Sequence, residues 1–113
     1  MNSCLFCRIV AKELPAKFEY EDSSLIAIQD INPQAPTHLL VIPKRHISKV
    51  DELQDGDRTL LGDMILKAKK LAHENKLDEG FRLVLNNGSK AGQSVFHIHM
   101  HLIGGRTMHW PPG

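Results

Sequence analysis

The sequence predicts an α+β domain in which a five-stranded antiparallel sheet is combined with one long helix and a short N-terminal helix. Two observations lead to this fold class. Five short segments carry the apolar or alternating patterns of strands, and residues 57–75 repeat apolar side chains every three to four positions. The strands follow one another mostly in hairpin order, which favours antiparallel pairing. The chain has 113 residues with neither linker nor repeat, so we expect one domain over residues 1–113.

The first half of the chain is expected to hold the short helix and three strands. Residues 4–11 predict the helix, which ends before Pro15 because proline restricts the backbone of the preceding residue. Residues 32–36 contain two prolines and predict a loop, and Pro43 stops the third strand. The three expected strands are residues 18–22, 25–30 and 38–42.

The second half is expected to hold the long helix and two further strands. Asp57 is the expected N-cap of the helix, and Gly80 closes the segment that follows it. The apolar stripe of this helix consists of Leu60, Leu61, Met64, Ile65, Ala68, Leu71 and Ala72. The two strands are residues 81–85 and 95–103, separated by a glycine-containing loop over 86–94 and followed by a tail over 104–113.

Composition and charge exclude several classes of protein. The chain carries 14 basic and 13 acidic side chains, and a net charge of +1 argues against binding nucleic acid through a bulk positive field. No apolar run approaches the roughly 20 residues needed to cross a bilayer, and residues 1–7 lack the features of a secretion signal. We therefore expect a cytoplasmic protein, also nuclear in a eukaryote, without nucleic-acid or membrane partners.

Three of the seven histidines fall within five positions, and this feature points to function. Within residues 96–102, His97, His99 and His101 alternate with apolar residues, so a strand places the imidazoles on one face and the apolar side chains toward the core. Alternate strand residues are about 6.6 Å apart, so three such rings do not easily bind one metal ion. We therefore expect His97, His99 and His101 to have separate tasks in catalysis, with the middle histidine tuned by its neighbours.

Neutral imidazole suits nucleophilic attack at phosphorus, because its ordinary pKa of about 6.5 leaves it largely unprotonated at neutral pH. The ring nitrogen that faces phosphorus carries the lone pair, so the other nitrogen must donate a hydrogen bond, for which a neighbouring backbone carbonyl is a suitable acceptor. The alternative interpretation is a solvated strand face that happens to be rich in histidine.

Cys4 and Cys7 form a Cys-x-x-Cys pair, a spacing typical of metal ligands or redox sites in a reducing compartment. Two cysteines do not complete a tetrahedral site, so two further ligands must come from elsewhere in the chain. The alternative is a pair of small buried residues on an amphipathic turn.

Residues 97–103 match the pattern His-φ-His-φ-His-φ-φ, where φ is apolar, and in this the chain resembles the histidine triad (HIT) superfamily. Residues 92–96 and the tail 104–113 resemble its Hint branch, the nucleoside phosphoramidases. The segments 30–38 and 41–48 are also similar to that branch, so the resemblance covers nearly the whole chain.

The resemblance implies a homodimer whose two five-stranded sheets join across the interface, with the tail packing near that interface and toward the partner's site. It also implies a pocket for purine nucleoside monophosphates. The implied reaction is hydrolysis of the P–N bond of AMP or GMP phosphoramidates through a nucleotidyl-histidine intermediate. The resemblance implies no cofactor for catalysis.

The resemblance also implies roles for individual residues. By matching position, His99 resembles the family's nucleophile, and His38 and His101 resemble its supporting network. Ser94 resembles a contact to the phosphate or the leaving amine. The other implied nucleotide contacts are Asp30 at the ribose hydroxyls, Ile31 beside the base, and Asn86, Gly92 and Gln93 at the ribose and phosphate. Asp30 has the alternative of capping its own turn.

A structural zinc site is implied by the same resemblance. Superfamily members with this cysteine pair bind zinc through it, through a histidine that matches His46, and through the first histidine of the triad. Here the set is Cys4, Cys7, His46 and His97.

Three other functions stay open. They are dinucleoside polyphosphate hydrolysis, as in the related Fhit branch, nucleotide-dependent interaction with other proteins with only incidental activity, and a zinc-binding regulatory module. The ending Trp110–Pro112 favours the phosphoramidase over the Fhit-like activity.

Overall fold

The computed structural model describes residues 3–113, so the first two residues of the expected domain lie outside it. Its helices and strands are α1 (Leu5–Val10), β1 (Phe18–Glu21), β2 (Leu25–Gln29), β3 (Thr37–Pro43), α2 (Arg58–Glu74), β4 (Phe81–Val84) and β5 (Met100–Gly104). Short 3₁₀ turns occur at Val50–Glu52, Asp55–Asp57 and Ser89–Ala91. The predicted fold class is confirmed. Neither helix among the described residues is long and apolar enough to cross a bilayer.

The five strands form one sheet with the order β1-β2-β3-β5-β4, and every neighbouring pair is antiparallel. β5 is inserted between β3 and β4, which leaves β4 at an edge. In the β3–β5 register His38 stands opposite Ile103, and Leu40 stands opposite His101. His38 and His101 are therefore diagonal neighbours on one face of the sheet, a separation that long side chains can bridge.

The sheet has two different faces, each with its own apolar cluster. α2 covers one face, where the buried residues are Leu25, Ala27, Leu39, Val41, Met64, Ala68, Leu71, Ala72, Leu77, Met100 and Leu102. α1 covers part of the other face, where the buried residues are Phe6, Ile9, Ile26, Ile28, Leu40 and Ile42. Because neighbouring residues of a strand point to opposite faces, His38 and His101 lie on the α1 face.

The last strand begins at Met100, whereas the sequence predicted it over residues 95–103. Before Met100 the alternation fails. Phe96, expected in the core, is 44% exposed, while both His97 and Ile98 are buried. The prediction of one continuous strand that carries three histidines on a single face is therefore wrong, and only His101 lies within β5.

The reason is how the end of β3 is bonded. Pro43 has no N–H to continue a ladder, and its carbonyl accepts a hydrogen bond from Nε2 of His97 at 2.7 Å. The backbone N–H of Ile98 donates instead to the carbonyl of Ile47. The segment before β5 is thus held by a side chain and a loop, not by strand pairing.

Asp57 occupies the N-cap position of α2, but its side chain does not cap that helix. The carboxylate accepts a hydrogen bond from the backbone N–H of Gln54 at 2.8 Å and pairs with Arg45. Asp57 therefore closes the 3₁₀ turn that leads into α2, which corrects the predicted cap. The helix extends from a preformed turn, so its first N–H groups are not left to a single capping side chain.

Candidate active site

Four histidines meet on the α1 face of the sheet and in the segment that leads into β5. The diagonal placement of His38 and His101 brings Nε2 of His38 to 2.8 Å from Nδ1 of His101. The rings of His99 and His101 lie with their centroids 5.0 Å apart. The structure thus brings together three of the residues that the sequence assigned to catalysis, and it directs the ring of the fourth, His97, into a different cluster.

One backbone group determines which ring nitrogen carries the hydrogen in His38 and in His101. The N–H of Gln34 donates to Nδ1 of His38 at 3.0 Å, so in the neutral ring Nε2 of His38 carries the hydrogen. That hydrogen is donated to Nδ1 of His101. His101 therefore carries its own hydrogen on Nε2 and presents a donor at the other side of its ring.

His99 has the opposite arrangement. Its Nδ1 lies 2.8 Å from the backbone carbonyl of His97 and donates to it, so Nε2 keeps the lone pair. This is the carbonyl acceptor that the sequence analysis required. The His99 side chain is largely buried, at 8% exposure, and the ring of Phe6 packs against it at 5.0 Å and 82°.

Burial keeps these rings uncharged at neutral pH. Desolvation lowers the pKa of His38 and of His99, while the carboxylate of Asp30 acts in the opposite direction on both. Burial, together with the nearby His99 and His38, lowers the pKa of His101 to about 4. A lone pair on His99 and an N–H on His101 are therefore both present without a preceding change of charge.

Asp30 faces this group from the end of β2. One carboxylate oxygen lies 3.4 Å from Nε2 of His38, and the other accepts a hydrogen bond from the backbone N–H of Asn32 at 2.8 Å. The carboxylate therefore does cap its own turn, as the alternative interpretation held, and it also borders the histidines. Ile31 beside it is 99% exposed, an apolar side chain with no core to fill.

His97 has a buried ring with each nitrogen engaged separately. Nε2 donates to the carbonyl of Pro43, so Nδ1 carries the lone pair. Nδ1 lies 3.3 Å from Sγ of Cys4, 3.5 Å from Sγ of Cys7 and 3.2 Å from Nδ1 of His46. Sγ of Cys7 lies 3.4 Å from Nδ1 of His46.

These distances fit a tetrahedral metal site. Zn–N bonds of about 2.0–2.1 Å and Zn–S bonds of about 2.3 Å give ligand-to-ligand distances of roughly 3.3–3.8 Å in a tetrahedron. The four atoms of Cys4, Cys7, His46 and His97 all lie within 4.8 Å of one another. A Cys₂His₂ donor set of this size matches the preference of Zn²⁺.

A second group of this kind does not fit a metal. Asp30, His38 and His101 also offer ligand atoms within 4.8 Å of one another. However, the N–H of Gln34 takes the lone pair of His38 at Nδ1, so the nitrogen of His38 that faces the group is protonated. Binding a cation there requires the loss of that hydrogen bond.

The loop over residues 86–94 is held from inside by Gln93, which is buried. Its Oε1 accepts from the N–H of Gly88, and its Nε2 donates to the carbonyls of Ser48 and Val95. Its backbone N–H donates to the carbonyl of Gly88. The side chain of Gln93 thus holds the loop from within, and its contact with a nucleotide stays a prediction.

The other predicted residues of this loop face outward. Ser94 is exposed, and Asn86 is half-buried beside Gly92. Gly92 has a φ of +102°, which only glycine adopts without strain. The loop therefore presents backbone and Ser94 at the surface while Gln93 fixes its shape.

The tail is anchored at two points. Arg82 donates to the carbonyl of His109 at 2.8 Å, and Arg106 donates to the carbonyl of Gln34 at 2.9 Å. Trp110 is nevertheless 82% exposed.

Three participants in the site carried no sequence signal. They are the ring of Phe6, the backbone N–H of Gln34 and the backbone carbonyl of Pro43.

Comparison with known proteins gives consistent results over nearly the whole chain. The family model described as "Scavenger mRNA decapping enzyme C-term binding" matches residues 3–110. An "Uncharacterized HIT-like protein" of Synechocystis sp. is 46% identical over 109 residues, which cover 96% of each protein. The crystal structure of a HIT family hydrolase from Legionella pneumophila Philadelphia 1 has a TM-score of 0.97 and 52% identity, and it covers 98% of this chain and 100% of its own.

A more distant solved structure bears on the cysteine cluster. It is a Zn-bound histidine triad family protein from Mycobacterium smegmatis, with a TM-score of 0.80 and 34% identity. The match covers 93% of this chain and 76% of that one.

Proposed function

This chain belongs to the histidine triad (HIT) family, and we propose that it is a purine nucleoside phosphoramidase that hydrolyses the P–N bond of AMP or GMP phosphoramidates. The observation that carries this proposal is the pair of opposite proton positions on neighbouring rings. His99 presents a lone pair at Nε2, and His101 presents a hydrogen at Nε2. A nucleophile and a hydrogen-bond donor thus stand side by side, with ring centroids 5.0 Å apart.

The proposed reaction is a double displacement. Nε2 of His99 attacks phosphorus and forms the nucleotidyl-histidine, while the P–N bond breaks and the leaving amine takes a proton from water. The N–H at Nε2 of His101 donates a hydrogen bond to the reacting phosphoramidate and keeps its hydrogen throughout. The hydroxide that the water leaves then attacks phosphorus, the bond to His99 breaks, and AMP or GMP is released with both rings in their starting state. Loss of one preorganised donor of this kind typically costs 10²–10³-fold in rate.

The surroundings supply candidate contacts for the rest of the nucleotide. Asp30 retains a carboxylate oxygen toward the histidines for the ribose hydroxyls, and exposed Ile31 offers an apolar surface for the base. Asn86 and Ser94 offer side-chain groups for the phosphate and ribose. Gly92 lies beside Asn86 and has no side chain, so it permits the close approach of a nucleotide, although its own N–H donates to the carbonyl of Ser89.

We propose that the Cys4, Cys7, His46 and His97 cluster holds a structural zinc ion. The fit of the four ligand atoms supports this, and so does the Zn-bound relative from Mycobacterium smegmatis. Four protein ligands leave no open position for substrate, so the ion contributes a cross-link between α1, the segment after β3 and the segment before β5. The reaction itself uses only side chains of this chain, with no cofactor.

A homodimer joined through the edge strand β4 is the proposed assembly. β4 pairs only with β5 among the described strands, and an unpaired edge is a template for a second copy. Ile65 and Leu66 of α2 and Phe81 of β4 are apolar and exposed, which suits burial in an interface. Light scattering of the wild-type protein should give twice the mass of the chain. The Leu66→Glu variant should shift toward the monomer. A monomeric wild type would refute the assembly.

The function is tested by substrate choice and by trapping. An adenosine 5′-phosphoramidate of a simple amine and diadenosine triphosphate are compared as substrates, and the acid-quenched or denatured enzyme is searched for a nucleotidyl group by mass spectrometry. We expect the phosphoramidate to be preferred, the adduct to lie on His99, and His99→Ala to bind AMP without turnover. His73→Ala, at an exposed position on α2, is the matched control and should keep full activity.

Four outcomes would overturn the proposal. An adduct on another residue, or normal turnover by His99→Ala, would remove the nucleophile. Preference for diadenosine triphosphate would favour the polyphosphate hydrolase, and AMP binding without turnover of either compound would favour a nucleotide-binding interaction protein.

A further inference from the structure

We propose that Phe6 is a positioning residue for the nucleophile, fixing the ring of His99 in the orientation that presents Nε2. Phe6 is buried in α1, and its ring meets the ring of His99 at 5.0 Å between centroids and 82° between planes. This near-perpendicular contact is one of the preferred arrangements of aromatic rings. The inference rests on the proposed function, because it concerns the residue that is assigned there as the nucleophile.

His99 needs such a contact because its ring has one hydrogen bond among the described contacts. The bond from Nδ1 to the carbonyl of His97 fixes one corner of the ring and permits pivoting about that corner. The rings of Phe6 and His101 both stand 5.0 Å from it, at 82° and 60°. The two ring contacts and the hydrogen bond together restrict the ring of His99 to one orientation.

The position of Phe6 is set in turn by the cysteines on either side of it. α1 has only six residues, too few to be stable as an isolated helix. The N–H of Cys7 donates to Sγ of Cys4 at 3.3 Å, and both sulfurs lie against Nδ1 of His97. The cluster of cysteines and histidines that holds α1 is therefore connected to His99 by two contacts. One is the hydrogen bond from His99 to the carbonyl of His97, and the other is the ring of Phe6.

Packing alone would predict a different behaviour for Phe6. If the residue only filled the core, its replacement would reduce stability without a specific effect on His99. Ile9 provides the comparison, because it lies in the same helix, in the same apolar cluster and at similar burial, but carries no aromatic ring. A loss of stability common to both positions reports packing, whereas an effect on the His99 ring only at position 6 reports positioning.

The experiment compares Phe6→Leu and Phe6→Met with Ile9→Ala in the full chain. The first readout is the ring N–H signal of His99 in ¹⁵N–¹H spectra without substrate. That of His38 is the internal reference, because its N–H donates to Nδ1 of His101 and its ring packs against His101, whereas the ring of His97 also contacts Phe6 at 6.0 Å. We expect both Phe6 variants to lose or broaden the His99 signal and to retain that of His38, and Ile9→Ala to retain both. Leu and Met are both smaller than Phe but remain apolar, and the flexible Met side chain fills irregular gaps, so at least one variant should remain folded.

The second readout separates chemistry from binding. We expect kcat for a phosphoramidate to fall roughly ten- to hundredfold in the Phe6 variants, since a small misplacement of a reacting group has effects of that size. The Kd for AMP should change little, because the ring contact serves attack and not binding. Ile9→Ala should keep kcat at temperatures where it is folded.

The inference is overturned if the folded Phe6 variants keep the His99 ring signal and kcat, or if Ile9→Ala loses both to the same extent. Failure of the proposed function is distinguishable. If wild-type protein does not form the nucleotidyl adduct on His99, the ring signals still report whether Phe6 orders that ring.

Discussion

The backbone N–H of Gln34 donates to Nδ1 of His38 at 3.0 Å, and this one contact sets the direction of the hydrogen bond from His38 to His101. Without it, either ring could carry the shared hydrogen, and the outward nitrogen of His101 would be a donor in one case and an acceptor in the other. The loop before β3 thus determines the proton that His101 presents.

Replacing His38 by Ala should slow the chemical step more than it weakens nucleotide binding. His101 then loses the donor that fixes its tautomer, so a share of molecules presents a lone pair where a proton is needed. We expect kcat to fall roughly 10²-fold, within the range for loss of one preorganised hydrogen-bond donor, and KM to change less. Steady-state kinetics measure both values. An unchanged kcat would show that the tautomer of His101 does not depend on His38.

Each chain should bind one zinc ion, although the described residues contain two groups with metal-ligand chemistry. The cluster around His97 offers lone pairs, whereas His38 is held with its hydrogen toward the second group. Elemental analysis of protein purified without added metal should give one ion per chain. The ion should be lost in Cys4→Ser and Cys7→Ser and kept in Asp30→Asn. Two ions, or loss in Asp30→Asn, would contradict the assignment.

Removing that ion should destabilise the fold. A ligand that binds only the folded state at a hundred times its Kd contributes about 2.7 kcal/mol, so a chelator should lower the melting temperature clearly. Cys7→Ser, which is expected to be metal-free, should melt at a temperature that the chelator does not change. A wild-type melting temperature insensitive to chelator would mean that the cluster is empty in solution.

Gln93→Glu should be strongly destabilising. Glu keeps an acceptor for the N–H of Gly88 but replaces the amide donor with a carboxylate against the carbonyls of Ser48 and Val95. Two lost hydrogen bonds and a buried charge predict a loss of about 2–4 kcal/mol in the free energy of unfolding. Urea denaturation measures it. Gln29→Glu, the same change at an exposed position, is the control and should have little effect on stability. Equal losses of stability at both positions would contradict the role of Gln93 in holding the loop over residues 86–94.

Stability should decline as the pH falls from about 6.5 toward 4. The pKa values of His38, His97, His99 and His101 are all lowered from 6.5 in the folded protein, chiefly by burial, and that of His101 reaches about 4. The unfolded chain therefore takes up protons in this window while the folded chain does not. Each such proton weakens folding by up to about 1.4 kcal/mol per pH unit.

Histidines and carboxylates affect the stability of the fold in different pH ranges. The pKa values of Asp22 and Asp57 are lowered from 3.8, mainly by hydrogen bonds, so their contribution is present above that value and is lost only at lower pH. Urea unfolding between about pH 7 and pH 4.5, with a chelator present so that release of zinc does not contribute, thus reports the histidines. His101→Asn should flatten the slope; a slope that is absent in the wild type, or unchanged in that variant, would contradict the buried neutral state of these rings.

The fold class was predictable because its signals are local. The apolar stripe of α2 and the short apolar runs of β2 and β3 follow from the periodicity of helices and strands, and the structure confirms them except at Ile65, which is 47% exposed. The start of β5 was not predictable in this way. The alternation over residues 96–102 has the period of a strand, but the end of the partner strand at Pro43 decides where pairing stops.

The candidate site, like the fold, was predictable from the sequence only in part. The run His97–His101 indicated chemistry at phosphorus, and the resemblance that it carries led to the family, because residue types at fixed spacing are properties of the chain itself. The tertiary structure decided what each ring does. The Pro43 carbonyl and the two cysteines, which are distant in sequence from His97, determine which nitrogen of that ring holds the proton, and the loop that carries the Gln34 N–H determines it for His38. A proton's position depends on the partner within about 3 Å, and only folding brings that partner there.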